Sequence, residues 1–183
     1  LEAPKFLREE TVLSQYGKWV KKKTYQLPNG SEIEYIVWGG KSPIMIFAIT
    51  DDNMVVAITQ FRFGAEEVIL EVAGGCLEAG RSPEDTVRDE LLEETGYQAR
   101  NIRKLTASPL FFEPAACPTT YEVFLAEGCV KVAEPTPSPD ECLEVKVIPI
   151  QEWINLIFQG IVRDSKTIAV TMLALPHLGY ELT

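Results

Sequence analysis

Residues Glu71 to Tyr97, EVAGGCLEAGRSPEDTVRDELLEETGY, constrain the fold more than any other part of the chain. Glu71 and Val72 close an apolar run, and Gly74-Gly75 and Gly80 permit backbone shapes barred to residues with a Cβ. Ser82-Pro83 supplies a helix cap followed by proline at the first helical position. The pattern predicts a strand end, a tight glycine loop, and a helix running from near Pro83 to near Gly96, the residue type that favours a left-handed C-terminal cap. Within that helix Glu90, Glu93 and Glu94 stand at i, i+3 and i+4, so the three carboxylates share one face. Like charges there repel, and a divalent cation removes the penalty. Mg²⁺ suits such a place because it takes hard oxygen ligands together with phosphates and water. The same glutamates also read as an ordinary solvated acidic surface.

The stretch resembles the Nudix box, whose pattern is Gly, five residues, Glu, seven residues, then Arg-Glu-apolar-x-Glu-Glu-x-Gly-apolar. Gly75 opens it, and Glu90, Leu91, Glu93, Glu94, Gly96 and Tyr97 match its second half. Arg81 stands where the pattern has its first glutamate, and Asp89 where it has arginine. Gln60-Phe61-Arg62 and the run EVAGG further resemble the ADP-ribose pyrophosphatase branch. The resemblance implies metal-dependent hydrolysis of the diphosphate bond in a nucleoside diphosphate linked to another group. ADP-ribose, cleaved to AMP and ribose 5-phosphate, is the first candidate, and a GDP-mannose-like nucleotide sugar is the nearest rival. The two departures motivate a further alternative, a Nudix-fold binding or regulatory module without catalysis.

By the same resemblance, Glu90 and Glu94 would be the main ligands of Mg²⁺ or Mn²⁺. Glu93 would support or bridge a metal or act in catalysis, and the Gly74 carbonyl would complete the set. The glycines would keep side chains away from metal and diphosphate. Arg62 and Glu71 are the expected substrate-binding residues, although Arg62 equally reads as a strand residue with a surface charge. With the box glutamates on metal, the catalytic base should lie elsewhere. Asp140, Glu141 and Glu144 follow a proline-rich loop where related enzymes place an acidic base, with Glu141 favoured; each also reads as part of a solvated acidic turn. Arg81 and Asp89 exchange the signs of the family's two charges, so an ion pair between them would preserve the attraction and hold the loop beside Glu90.

A formal charge of −10 argues against sequence-independent nucleic-acid binding, which needs clustered lysine and arginine, but leaves room for a small phosphate ligand beside a metal. No apolar run reaches the roughly 20 residues that span a bilayer, and no secretory signal stands out, so no membrane partner is expected. Cys76, Cys117, Cys129 and Cys142 lack close-paired metal spacing, and His177 is the sole histidine. Those features suit a cytoplasmic protein with free thiols and no zinc site. His177 reads as a helix-end residue.

In chain order, strands are expected over Lys18 to Leu27 and Glu32 to Trp38, joined at Pro28-Asn29-Gly30 as a hairpin. Lys21-Lys22-Lys23 reads as a lysine-protected strand edge in preference to a phosphate patch. Ile44 to Thr50 and Met54 to Phe61 read as central strands covered on both faces. Val68 to Val72 leads into the glycine loop; Gln98 to Ala107, Tyr121 to Ala126 and Leu143 to Ile150 complete the strands. Pro135, Pro137 and Pro139 exclude a regular strand over Glu134 to Glu141, and helices are expected at Gln151 to Phe158 and Ser165 to Leu175. Strands around a few helices point to an α/β (α+β) helix-sheet-helix sandwich with a mixed sheet. The resemblance implies its Nudix version, with an N-terminal extension over residues 1–40, expected to pair two chains as a homodimer, and a Nudix domain over residues 41–183.

Overall fold

The computed structural model describes residues 1–77, 80–139 and 141–181. Along the chain lie β1 (Lys5–Gln15), β2 (Lys18–Gln26), β3 (Glu32–Gly39), β4 (Ile44–Ile49), β5 (Met54–Arg62) and β6 (Glu67–Val72). Helix α1 (Pro83–Thr95) is followed by β7 (Tyr97–Gln98), β8 (Asn101–Lys104), β9 (Leu110–Glu113), β10 (Cys117–Glu127), β11 (Val130–Lys131) and β12 (Leu143–Pro149). The chain ends in α2 (Ile150–Phe158), α3 (Ser165–Ala174) and a 3-10 turn (Leu175–Leu178). None of these helices is long and apolar enough to cross a membrane.

The chain divides into two compact units. One comprises Leu1–Ser42 with Leu110–Tyr121. Its antiparallel sheet has the order β1-β2-β3, so the expected hairpin carries a third strand that sequence patterning missed. The lysine run is therefore on a central strand and not on an edge, and its charges are met across the strands. Lys21 and Lys23 pair with Glu9, while Lys22 lies 3.5 Å from both Glu10 and Glu34. In the same unit β9 pairs with the first half of β10, adding a strand inside what reads as a proline-rich connection.

The other unit holds Pro43–Pro109 and the chain from Glu122 onward. Its mixed sheet runs β12-β5-β4-β10-β8, with β6 also on β5; β4 and β10 are parallel and the other pairs antiparallel. Every residue of β4 is buried, as its unbroken apolar sequence requires of a strand covered on both faces. Ile44, Ile46 and Ala48 meet Val87 and Leu91 of α1 in one core, with Phe124 and Ala126 from β10. Side-chain alternation turns Met45, Phe47 and Ile49 to the opposite face, where α3 packs on β4. Trp153 of α2 is fully buried and its indole N–H donates to Thr171 Oγ1 of α3 at 3.1 Å. The result is the expected helix-sheet-helix sandwich. The single strand expected over Gln98 to Ala107 is two short ones, because β7 pairs with β11 while β8 pairs with β10.

Candidate active site

The site is built where β6, the glycine loop and α1 meet. Ser82 Oγ accepts from Asp85 N at 3.1 Å to cap α1, Pro83 opens it, and Gly96 closes it at φ 76° with its N–H bonded to Leu92 O. A Cβ on Gly96 would also overlap the carbonyl oxygen of Ala133, so glycine serves both the turn and the close passage of the following segment. With Val87 and Leu91 in the core, the helix turns Glu90 and Glu94 towards the loop. Glu94 is 2% exposed and its Oε2 accepts from Gly74 N at 2.9 Å. The Glu90 carboxylate occupies the space that a Cβ on Gly75 would fill, and a Cβ on Gly74 would overlap the Ile44 carbonyl oxygen. Room for metal and diphosphate was the reason expected for these glycines. The structure supplies a nearer one: the protein's own carboxylate and strand backbone occupy those positions.

Burial pushes the Glu94 carboxyl up to about 8, with the charges of Glu90 and Glu141 adding to the rise; the Gly74 N–H and the Arg62 guanidinium oppose it. Three carboxylates and one arginine thus share an electrostatic neighbourhood. Glu141 reaches it because the proline-rich loop is docked on α1: Thr136 N donates to Glu93 O at 2.8 Å. The loop then closes on itself, with Ser138 N donating to Glu141 Oε2 at 3.0 Å and Glu141 N to Ser138 O at 2.8 Å. Phe61 N bonds to Cys142 O at 3.1 Å, tying the next residue to β5.

Glu93 is half-buried and anchors the loop through its backbone carbonyl. Glu144 is exposed on β12 and ion-paired with Lys146 at 2.7 Å. Asp140 lies outside the described residues. Arg62 Nε donates to Glu71 Oε1 at 2.7 Å, and Glu71 is buried at 2% exposure. Burial raises the Glu71 carboxyl above its ordinary value, against the lowering effect of Arg62. Arg81 and Asp89 are joined as an ion pair. Sequence reasoning missed Asp164 and Lys166, which pair with each other and act on Glu71. The signal for Asp164 was its place before Ser165 as a helix cap; nothing in the pattern linked Lys166 to Glu71.

Among the described residues no three acidic, His or Cys groups converge as a ready-made metal cage. The donors are hard oxygens on successive helical turns, one of them buried beside like charges. That set fits a small divalent cation that keeps water and phosphate oxygens in its shell, since such an ion relieves the repulsion without needing a closed cage.

A model of the NUDIX domain matches residues 41–169. The chain belongs to the Nudix family. The ADP-ribose pyrophosphatase of Bacillus subtilis (strain 168) is 31% identical over 169 residues, covering 89% of this chain and 90% of that protein. A GDP-mannose pyrophosphatase of Yersinia enterocolitica is 30% identical over 184 residues, covering 93% and 94%. A solved structure described as an ADP compounds hydrolase superposes with a TM-score of 0.85 over 98% of this chain and 96% of its own, at 22% identity, which speaks for the Nudix fold. Nudix hydrolases generally depend on a divalent metal.

Proposed function

We propose that this Nudix hydrolase cleaves the diphosphate of ADP-ribose, giving AMP and ribose 5-phosphate, with Mg²⁺ as the metal and Mn²⁺ as a substitute. The observation that carries the reading is Glu94, buried against the Gly74 N–H of the glycine loop, next to Glu90 packed on Gly75 and within electrostatic reach of Glu141 and Arg62. Glu90 and Glu94, with the Gly74 carbonyl, would hold the cation, and Glu93 would support it. When bound, the ion supplies charge neutralisation on the diphosphate and a more acidic water. Arg62, held by its Nε bond to Glu71 and still partly exposed, binds phosphate oxygens. Glu141 takes the proton of the attacking water as the oxygen bonds to phosphorus and the bridging P–O bond breaks. Glu144 is the weaker candidate for that base, since Lys146 already engages it.

A GDP-mannose-like nucleotide sugar is the second reading, favoured by the Yersinia relative. The non-catalytic reading was motivated by Arg81 and Asp89, and their pairing with each other speaks against it. Support for a homodimer through residues 1–40 comes from apolar side chains left exposed on the N-terminal sheet, among them Tyr35, Ile36 and Trp38 on β3. The thiols suit a cytoplasmic setting, with Cys117 and Cys129 buried. A comparison of kcat/KM for ADP-ribose, GDP-mannose and free ADP in Mg²⁺, with products identified by mass, tests the assignment. ADP-ribose should lead; a preference for GDP-mannose selects the second reading, and no hydrolysis of any of them removes both.

A further inference from the structure

The first turn of α3 carries charge that the reaction as described does not use. Asp164 caps the helix, its Oδ2 accepting from Thr167 N at 2.9 Å, and its Oδ1 is paired with Lys166 Nζ. Both side chains are largely buried, at 13% and 20% exposure. Thr167 is completely buried, and its Oγ1 accepts from Val72 N at 3.2 Å, so the turn is fastened to β6 one residue from Glu71. Glu71 feels Asp164 and Lys166 as well as Arg62. Arg62, Lys166 and Asp164 thus place two cations and one anion around the buried Glu71 carboxylate.

Such a set has a consequence for Arg62. The bond from Arg62 Nε to Glu71 Oε1 fixes one edge of a planar guanidinium, while the arginine side chain remains 45% exposed. Among the described residues Glu71 is the one side chain that Arg62 pairs with, so its remaining N–H donors can meet a ligand in a set orientation. That orientation is only as good as the position and charge of Glu71. Asp164 alone would repel Glu71, and a buried carboxylate with a like charge beside it tends to take up a proton and weaken its ion pair. Lys166 neutralises Asp164 and attracts Glu71 at once.

We propose that Asp164 and Lys166 are positioning residues for Arg62, acting through the buried Glu71. The pair sets the guanidinium that meets the substrate's phosphates, so substrate affinity depends on a helix turn that never touches the substrate. The inference rests on the functional reading above for the role of Arg62.

The test uses the full chain with Lys166→Met, which keeps length and removes charge, Lys166→Arg, which keeps charge, and Asp164→Asn, which keeps an oxygen to cap the helix. Two quantities are read: steady-state kinetics on ADP-ribose, and the Arg62 Nε–H resonance in a proton–nitrogen correlation spectrum, assigned by its loss in Arg62→Ala. Lys166→Met should raise KM roughly tenfold with kcat within about twofold of wild type, the pattern of lost binding without lost chemistry. It should also shift or broaden the Arg62 resonance, with Asp164→Asn moving it in part and Lys166→Arg leaving both readouts near wild type. An unmoved resonance in Lys166→Met, or equal effects of Met and Arg, overturns the inference. If wild type fails to cleave ADP-ribose while Lys166→Met still moves the resonance, the substrate reading falls and the coupling to Arg62 stands.

Discussion

At the scale of single residues, Glu94 has two opposed duties, because the burial that shapes the site penalises its charge. Its folded pKa is about 8 against an ordinary 4.5. Between those values the unfolded chain has released the proton and the folded chain still holds it, so folding stability of the metal-free protein is lost as pH rises through that window. Glu94→Gln should flatten this dependence, making the variant relatively more stable at high pH, while it abolishes turnover and weakens Mg²⁺ binding. Urea unfolding in chelator at about pH 6 and about pH 8.5 checks it, and an unchanged pH slope in the variant would contradict the assignment. Arg81 and Asp89 give a second prediction. Both are about half exposed, so the pair is worth only about 0.2–1 kcal/mol and acts on orientation. Arg81→Glu alone should depress activity by repelling Asp89, and adding Asp89→Arg should recover much of it. A double variant no better than the product of the single effects would show the pair to be uncoupled.

At the scale of elements, the proline-rich loop matters through its docking. Thr136 on the Glu93 carbonyl brings Glu141 to the end of α1, whereas Glu144, three residues on, lies exposed in β12. Glu141→Ala should therefore lower kcat by about a hundredfold or more with little change in KM, and Glu144→Ala should stay within a few fold of wild type. The reverse ranking would move the base to β12. The boundaries of α1 were readable from Ser82, Pro83 and Gly96 because capping chemistry is local. Strand β1 was not readable: it is almost wholly exposed, so it carries no apolar alternation, and its turn is Tyr16-Gly17, at φ 52° and 72°, in place of a common Asn-Gly. Its one sequence trace was Glu9 and Glu10 facing the lysines of β2. The three box carboxylates were legible from helical spacing, but the group of Arg62, Glu71, Asp164 and Lys166 joins the consecutive strands β5 and β6 to the far-off start of α3, and no periodicity reports such a meeting.

At the scale of the whole molecule, the N-terminal sheet leaves Ile33, Tyr35, Ile36 and Trp38 of β3 substantially exposed, more apolar surface than a strand facing only water is expected to carry. Sedimentation at micromolar concentration should give a dimer, and Tyr35→Glu with Ile36→Lys should shift it to monomer; a wild-type monomer that retains full activity would defeat the pairing. The chemistry of the molecule depends on Glu90, Glu94, Glu141 and Arg62 working together as a diphosphate-cleaving centre. The most direct measurement follows ADP-ribose with Mg²⁺ by mass, using wild type and Glu94→Gln side by side. Wild type should give AMP and ribose 5-phosphate in equal amounts and the variant essentially none; intact ADP-ribose with wild type, or equal turnover by the two proteins, would show that these residues are not such a centre.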